Sequence, residues 1–187
     1  MPHVSDGHPW FAVHVRAQRE KHVATLLGNK GYTHFLPLYL ERRKWSDRFQ
    51  EVELALFPGY LFCQFDPERR LPILTTPGVW SIAGSGRTPI PVAGSEVEAI
   101  QAIVRSGLGT LPWPFLEAGD VVRLAEGPLA GLEGLLVEVK KEQRLVVSVT
   151  LLQRSVAVEI DRNWVRPIEA MRRPVEAARI GALAASA

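Results

Sequence analysis

Few residues in this chain stand at spacings that support bond-making chemistry. All five histidines, His3, His8, His14, His22 and His34, fall near the amino terminus. None stands at a metal-ligand or nucleophile-base spacing from another titratable group. Glu51 and Glu53 lie two apart and could share one face of a strand, as a pair of acid–base carboxylates would. Alternating charge on a half-solvated hairpin accounts for them better. Asp66 and Glu68 flank Pro67, where acidic residues favour the start of a helix. The single cysteine, Cys63, sits in an apolar run and reads as core rather than as a reactive thiol. No catalytic residue, metal site or cofactor is expected, and the chain does not read as an enzyme.

Three other stretches suit binding. In Leu56-Phe57-Pro58-Gly59-Tyr60-Leu61-Phe62 a Pro-Gly pair interrupts an aromatic strand, marking a bulge or an edge. Phe57, Tyr60 and Phe62, with Trp10 on the neighbouring strand, are either core or an apolar patch for a partner. Arg42-Arg43-Lys44-Trp45 and Arg48 form a basic cluster around an aromatic at a hairpin tip. Such a cluster suits phosphate contact and base stacking, or is a solvated charged hairpin. Gly127-Pro128-Leu129-Ala130-Gly131-Leu132-Glu133-Gly134 demands a tight turn and close backbone approach. It is not a phosphate loop, because no Lys-Ser or Lys-Thr follows it.

The elements that must position these residues fall into two groups. The chain has 187 residues, 47% of them hydrophobic and 22% charged, enough for one large domain or two small ones. Gly107 to Glu117 breaks every periodicity and reads as a linker. Before it, Trp10 to Val15 reads as a strand, Arg19 to Lys30 as an amphipathic helix, and Phe35 to Trp45 and Val52 to Phe65 as a long hairpin. A helical turn follows Pro67, a short strand covers Val79 to Ile82, and Ser95 to Val104 reads as a helix opened by a Ser95–Glu98 capping box. This order predicts an antiparallel sheet with helices on one face. After the linker, Val121–Leu124, Leu135–Val139, Leu145–Leu152 and Val156–Ile160 read as strands of a small barrel, with a turn at Lys140-Lys141-Glu142-Gln143. The expected division is 8–106, linker 107–117, barrel 118–168 and an Ala-rich, frayed tail 169–187. The fold class is therefore α+β with an all-β carboxy-terminal barrel.

Charge excludes bulk electrostatic capture of nucleic acid. Lys and Arg total 22 against 20 for Asp and Glu, with twelve basic and ten acidic residues up to Arg105 and ten of each after it. A formal +2 is too weak for that role, so any nucleic-acid contact must be local. No stretch reaches the ~18 unbroken apolar residues of a membrane span. The start, MPHVSDGHPW, lacks the regions of a secretory signal. A lone cysteine rules out an intrachain disulfide framework. A soluble, unprocessed, cytoplasmic monomer is expected.

The ordered set Trp10-Phe11-Ala12-Val13, Arg19-Glu20-Lys21, Phe35-Leu36-Pro37-Leu38, Leu56 to Phe62 and Thr76-Pro77-Gly78-Val79 resembles the amino-terminal (NGN) domain of NusG-type transcription elongation factors. Gly119-Asp120-Val121-Val122 followed by Gly127 to Gly134 is similar to their carboxy-terminal, SH3-like KOW barrel. Arg43-Lys44-Trp45-Ser46-Asp47-Arg48 and Leu151 to Val158 resemble the specialised UpxY and RfaH paralogues, which relieve pausing and termination in long operons such as polysaccharide clusters. The resemblance implies that the first domain binds the clamp helices of the RNA polymerase β′ subunit and bridges toward the β subunit. Trp10, His14, Phe57, Pro58, Tyr60 and Phe62 would make that contact. The His-Thr-Thr run by which RfaH reaches the β subunit has no counterpart in Glu68-Arg69-Arg70-Leu71. Arg42, Arg43, Lys44, Trp45 and Arg48 would face upstream or non-template DNA, and the KOW domain would meet a ribosomal protein or Rho. A general NusG-like factor and an RNA-binding KOW protein of the ribosome or its assembly are the alternative readings. The barrel of RfaH converts to a helical hairpin that masks the polymerase site. Here Val121, Val122, Val137, Val139, Val146, Val147, Val149, Val156 and Val158 disfavour a helix. A single-fold barrel and an open polymerase face are expected.

Overall fold

The structure, a computed structural model, describes residues 7–45, 48–115, 120–139 and 142–168. Ser46 and Asp47 of the hairpin tip, Lys140 and Lys141 of the expected turn, and the tail from 169 lie outside the described residues. In chain order the first part runs β1 (Trp10–Val15), α1 (Glu20–Asn29), β2 (His34–Phe35), β3 (Leu38–Trp45), β4 (Arg48–Ala55) and β5 (Tyr60–Gln64). A 3-10 turn at Pro67–Arg69 leads to α2 (Leu71–Leu74), β6 (Val79–Ile82), β7 (Gly84–Ser85), β8 (Thr88–Pro89), β9 (Pro91–Val92) and α3 (Gly94–Ser106). The main sheet has the order β2-β5-β1-β6, with β9 also on β1, and all pairs are antiparallel.

Strand alternation decides which helix covers which face. Phe11, Val13 and Val15 of β1 and Leu61 and Cys63 of β5 point to one side, where α1 supplies Val23, Ala24 and Leu27, and α2 supplies Ile73. Ala12 and Phe62 point to the other side, where α3 lays down Val97, Ile100 and Ile103. The helices therefore cover both faces, which corrects the expectation of one. Phe11-Ala12-Val13 and Leu61-Phe62-Cys63 are apolar at every position, and such strands must be buried on both sides.

Two prolines split the long hairpin that the sequence suggests. Leu36-Pro37 separates β2 from β3, and Pro58-Gly59 separates β4 from β5. The result is a projecting two-stranded sheet, β3-β4, distinct from the main sheet. The Leu56 N–H donates to the Pro37 carbonyl at 2.9 Å and closes its base. The capping box is also corrected. Helix α3 begins at Gly94 with Ala93 at its cap and no side-chain capping bond, so Ser95 lies inside the first turn.

The barrel strands are β10 (Thr110–Pro114), β11 (Asp120–Leu124), β12 (Glu133–Val139), β13 (Glu142–Val149), β14 (Arg154–Ile160) and β15 (Val165–Pro167), in the order β10-β14-β13-β12-β11-β15. The stretch read as a linker thus contributes a strand, running from Thr110 opposite Val158 to Pro114 opposite Arg154. Pro112 and Pro114 argued for a loop, but β10 is an edge, where a missing N–H costs no ladder bond. The glycine turn serves close packing. Gly127 has φ +82, and a Cβ there would lie 2.7 Å from the Trp164 ring. Pro128 follows in the turn, and the Gly131 N–H bonds the Leu124 carbonyl at 2.7 Å. A Cβ on Gly134 would meet the Val146 carbonyl at 2.7 Å. One apolar cluster joins the two parts of the molecule, with Ala12, Phe57, Phe62 and Ile100 continuous with Val122, Leu145, Val149 and Val156.

Candidate partner-binding face and hairpin

The turn at Pro58-Gly59 organises the aromatic face. The Tyr60 N–H bonds the Phe57 carbonyl at 2.9 Å, and Gly59 takes φ +81. On its outer side the Gly59 N–H donates to Glu20 Oε1 at 2.8 Å. Glu20 opens α1 and is only 8% exposed, so a buried carboxylate fixes the turn against the helix. The Val15 N–H then bonds the Gly59 carbonyl at 2.8 Å, which brings Tyr60 opposite His14 in the strand register. Their rings stack at 4.9 Å, and Trp80 of β6 meets the His14 ring edge-on at 5.2 Å. Trp80 is 66% exposed at the sheet edge, which makes this end of the face aromatic and open to contact.

Of the six residues assigned to this face by sequence, Trp10, His14 and Tyr60 are half-buried and Pro58 is exposed. Phe57 and Phe62 are fully buried, edge-to-face with ring centres 5.6 Å apart, and Phe35 stacks on Phe62 at 6.2 Å. They support the face from beneath, because α3 covers the middle of the sheet on this side. Cys63 is buried too, and burial pushes its thiol up to about 12, so it stays protonated as a core residue should.

The barrel sits on the Tyr60 end of this face. Arg154 Nη1 donates to the Pro58 carbonyl at 2.9 Å, and its guanidinium lies 5.2 Å from the centre of the Tyr60 ring. Gln153, at φ +50, turns the chain so that β14 begins with Arg154 aimed at the sheet. Nearby, the Thr150 backbone N–H and hydroxyl both donate to Glu96 Oε1 of α3, at 3.2 and 2.8 Å. Leu151 and Leu152 pack against the shared cluster. The face is therefore partly covered, which overturns the expectation of an open one. The covering segment is strand and 3-10 turn, not a helical hairpin.

Sequence reasoning missed Glu20, Glu96 and Trp80 as members of this face and saw Arg154 only as part of a resembling stretch. Glu20 looked like an ordinary first-turn acid. The one available signal was the Gly59 N–H, a donor in a turn with no local acceptor.

The hairpin presents a different surface. Its register pairs Arg42 with Glu51, Arg43 with Gln50, Lys44 with Phe49 and Trp45 with Arg48. The structure thus brings all five predicted residues to the distal end of one two-stranded ribbon. Arg42, Arg43, Lys44 and Arg48 are exposed. Arg43 pairs with Glu41, and the Arg42 guanidinium lies 4.4 Å from the centre of the Phe49 ring. At the base, Lys21 of α1 pairs with Glu53 at 2.9 Å. Among the described residues no group of three or more metal-ligating side chains forms. No helix among them is long and apolar enough to cross a membrane.

Comparison with known proteins decides the family. The family model for transcription termination factor NusG matches residues 8–101. The transcription termination/antitermination protein NusG of Thermus thermophilus is 32% identical over 180 residues, covering 83% of this chain and 96% of that protein. The chain belongs to the NusG family. NusG of Pseudomonas aeruginosa is 30% identical over 185 residues, with 85% and 98% covered. A solved structure concerning domain interaction in Thermotoga maritima NusG shares the fold, with TM-score 0.54 and 21% identity over 88% of this chain and 99% of that one. The chain is thus a NusG-type transcription termination/antitermination factor built on the α+β fold expected from its sequence.

Proposed function

We propose that this factor binds RNA polymerase through the face formed by Trp10, His14, Pro58 and Tyr60, with Phe57 and Phe62 as its buried support, and that it suppresses pausing or termination. The observation that carries this reading is the Pro58–Tyr60 turn. It holds a half-buried Tyr60 against His14, whose ring meets the exposed Trp80, and the molecule's own barrel grips the turn by one hydrogen bond to Pro58 and one cation–π contact to Tyr60. Such a face is specific and reversible, as an exchangeable partner site requires. The β′ clamp helices are the partner proposed, and holding the clamp closed would disfavour the looser paused state. The barrel competes with polymerase for Tyr60, so the domains separate before the factor engages.

The basic hairpin end is proposed to contact upstream or non-template DNA in the elongation complex. The likeness to UpxY and RfaH supports service to particular long operons. A general role is the second reading, favoured by relatives that carry the NusG name over nearly their whole length. In that reading the freed barrel recruits Rho or a ribosomal protein.

The test is capture of polymerase by the full chain, repeated with polymerase lacking the clamp helices. Capture should be lost with the deletion. Tyr60→Ala should weaken binding by about 2 kcal/mol, as for an aromatic hot spot, while the chain stays folded, checked by melting. Phe62 is unsuitable for this purpose because its truncation opens a core cavity. Equal binding by Tyr60→Ala refutes the placement. Pausing assays with and without Rho then separate the specialised from the general reading.

A further inference from the structure

Phe49 of the hairpin faces solvent. The residue is 59% exposed near the distal end of β4. Lys44 stands directly opposite it, and Arg42 lies diagonally on the same face with its guanidinium 4.4 Å from the ring centre. The charges along the ribbon are graded. Arg48, Lys44 and Arg43 occupy the distal end, Arg42 and Glu51 face each other at the next level, and Glu41 and Glu53 lie nearer the base. Glu41 pairs with Arg43 and Glu53 with Lys21.

We propose that Phe49, braced by Arg42, is a stacking platform for an unpaired nucleobase, with Lys44 and Arg48 holding the flanking phosphates. The hairpin end would then take single-stranded nucleic acid in preference to duplex. This deepens the nucleic-acid reading of the hairpin and rests on it. A duplex keeps its base faces stacked inside the helix, where a phenyl ring on a strand cannot reach them. An unpaired base offers a free π-face, and an Arg–Phe pair matches that face with cation–π support from behind. The shared chemistry is an unpaired base on a phosphate backbone, which either DNA or RNA supplies.

The experiment measures binding of the full chain to oligo-dT, to oligo-rU of equal length and to a duplex of that length, across a salt series. The wild type should bind a single strand more tightly than the duplex, and the tighter of the two single strands identifies the source. Phe49→Ala should lose about tenfold on single strands, leave the salt slope unchanged and leave duplex binding unaffected. Phe49→Trp should retain affinity. Neutralising Arg42, Lys44 and Arg48 together should flatten the log–log salt slope on a single strand by about 1.4, from two lost phosphate contacts. Phe49 is exposed, so its truncation leaves the fold intact, checked by melting. Full single-strand affinity in Phe49→Ala, or equal binding of duplex and single strand, overturns the platform while the charged contact stands. If neutralising the three cations also changes nothing, both the platform and the nucleic-acid reading fall.

Discussion

The aromatic face and the hairpin end use the same pairing, an arginine over an aromatic ring, to opposite effect. On the face, Arg154 reaches Tyr60 from the other domain, and its hydrogen bond to the Pro58 carbonyl spans 96 positions of chain. On the hairpin, Arg42 reaches Phe49 from across a short ribbon. The first contact brings a barrel with it and covers the ring. The second brings only a side chain and leaves the ring accessible. A cation–π contact therefore acts here as a latch or as a platform according to what the arginine is attached to.

The largest effect that can break this comparison is on stability. Phe57→Ala should cost about 4 kcal/mol in a urea titration, because it empties a fully buried position. Phe49→Ala should change stability by no more than about 0.5 kcal/mol. Similar losses would mean that the hairpin is core and the comparison mistaken.

Next is the turn beneath the face. Glu20→Ala should cost about 2 kcal/mol, since it leaves the buried Gly59 N–H without an acceptor. Glu20→Gln keeps an oxygen within reach and should recover most of that loss. Amide exchange at Gly59 reports it directly, slow in the wild type and in Glu20→Gln and faster in Glu20→Ala. No change in Glu20→Ala would show that the turn holds Tyr60 without the helix.

A smaller change separates latch from platform. Arg154→Ala should release about 1 kcal/mol of domain contact, raising polymerase affinity about fivefold and expanding the full chain in small-angle scattering. Arg42→Ala should leave both measurements unchanged. An unaltered scattering profile in Arg154→Ala would place the latch elsewhere, on the Glu96–Thr150 bonds. The smallest effect lies at the hairpin base, where Lys21→Ala removes an exposed ion pair. It should cost less than about 0.5 kcal/mol, falling further in high salt.

The elements were largely legible because their signals are local. Val79–Ile82 appears as a strand where β-branched residues placed it, and α1 follows the Val23, Leu26, Leu27 spacing. The basic cluster could be assigned to a hairpin tip because turn residues and alternation share one short window. Illegible features involved partners far apart in the chain. Pro112 and Pro114 looked like a linker because nothing nearby shows that β10 lies at a sheet edge. Ser95 and Glu98 fitted a capping box, yet the helix starts one residue earlier and Glu96 bonds Thr150 instead.

By itself the sequence determined the α+β fold class, the strand pattern of the carboxy-terminal part, the core placement of Cys63 and the gathering of cations at one hairpin end. All of these depend on residue type and on neighbours within a few positions. Tertiary structure alone decided that helices cover both faces of the main sheet, that Phe57 and Phe62 lie beneath the face rather than on it, and that Arg154 closes over Tyr60. Each depends on which of two available surfaces a distant segment packs against. That choice is made by the summed burial of the apolar cluster shared between the domains, a quantity that no local spacing encodes.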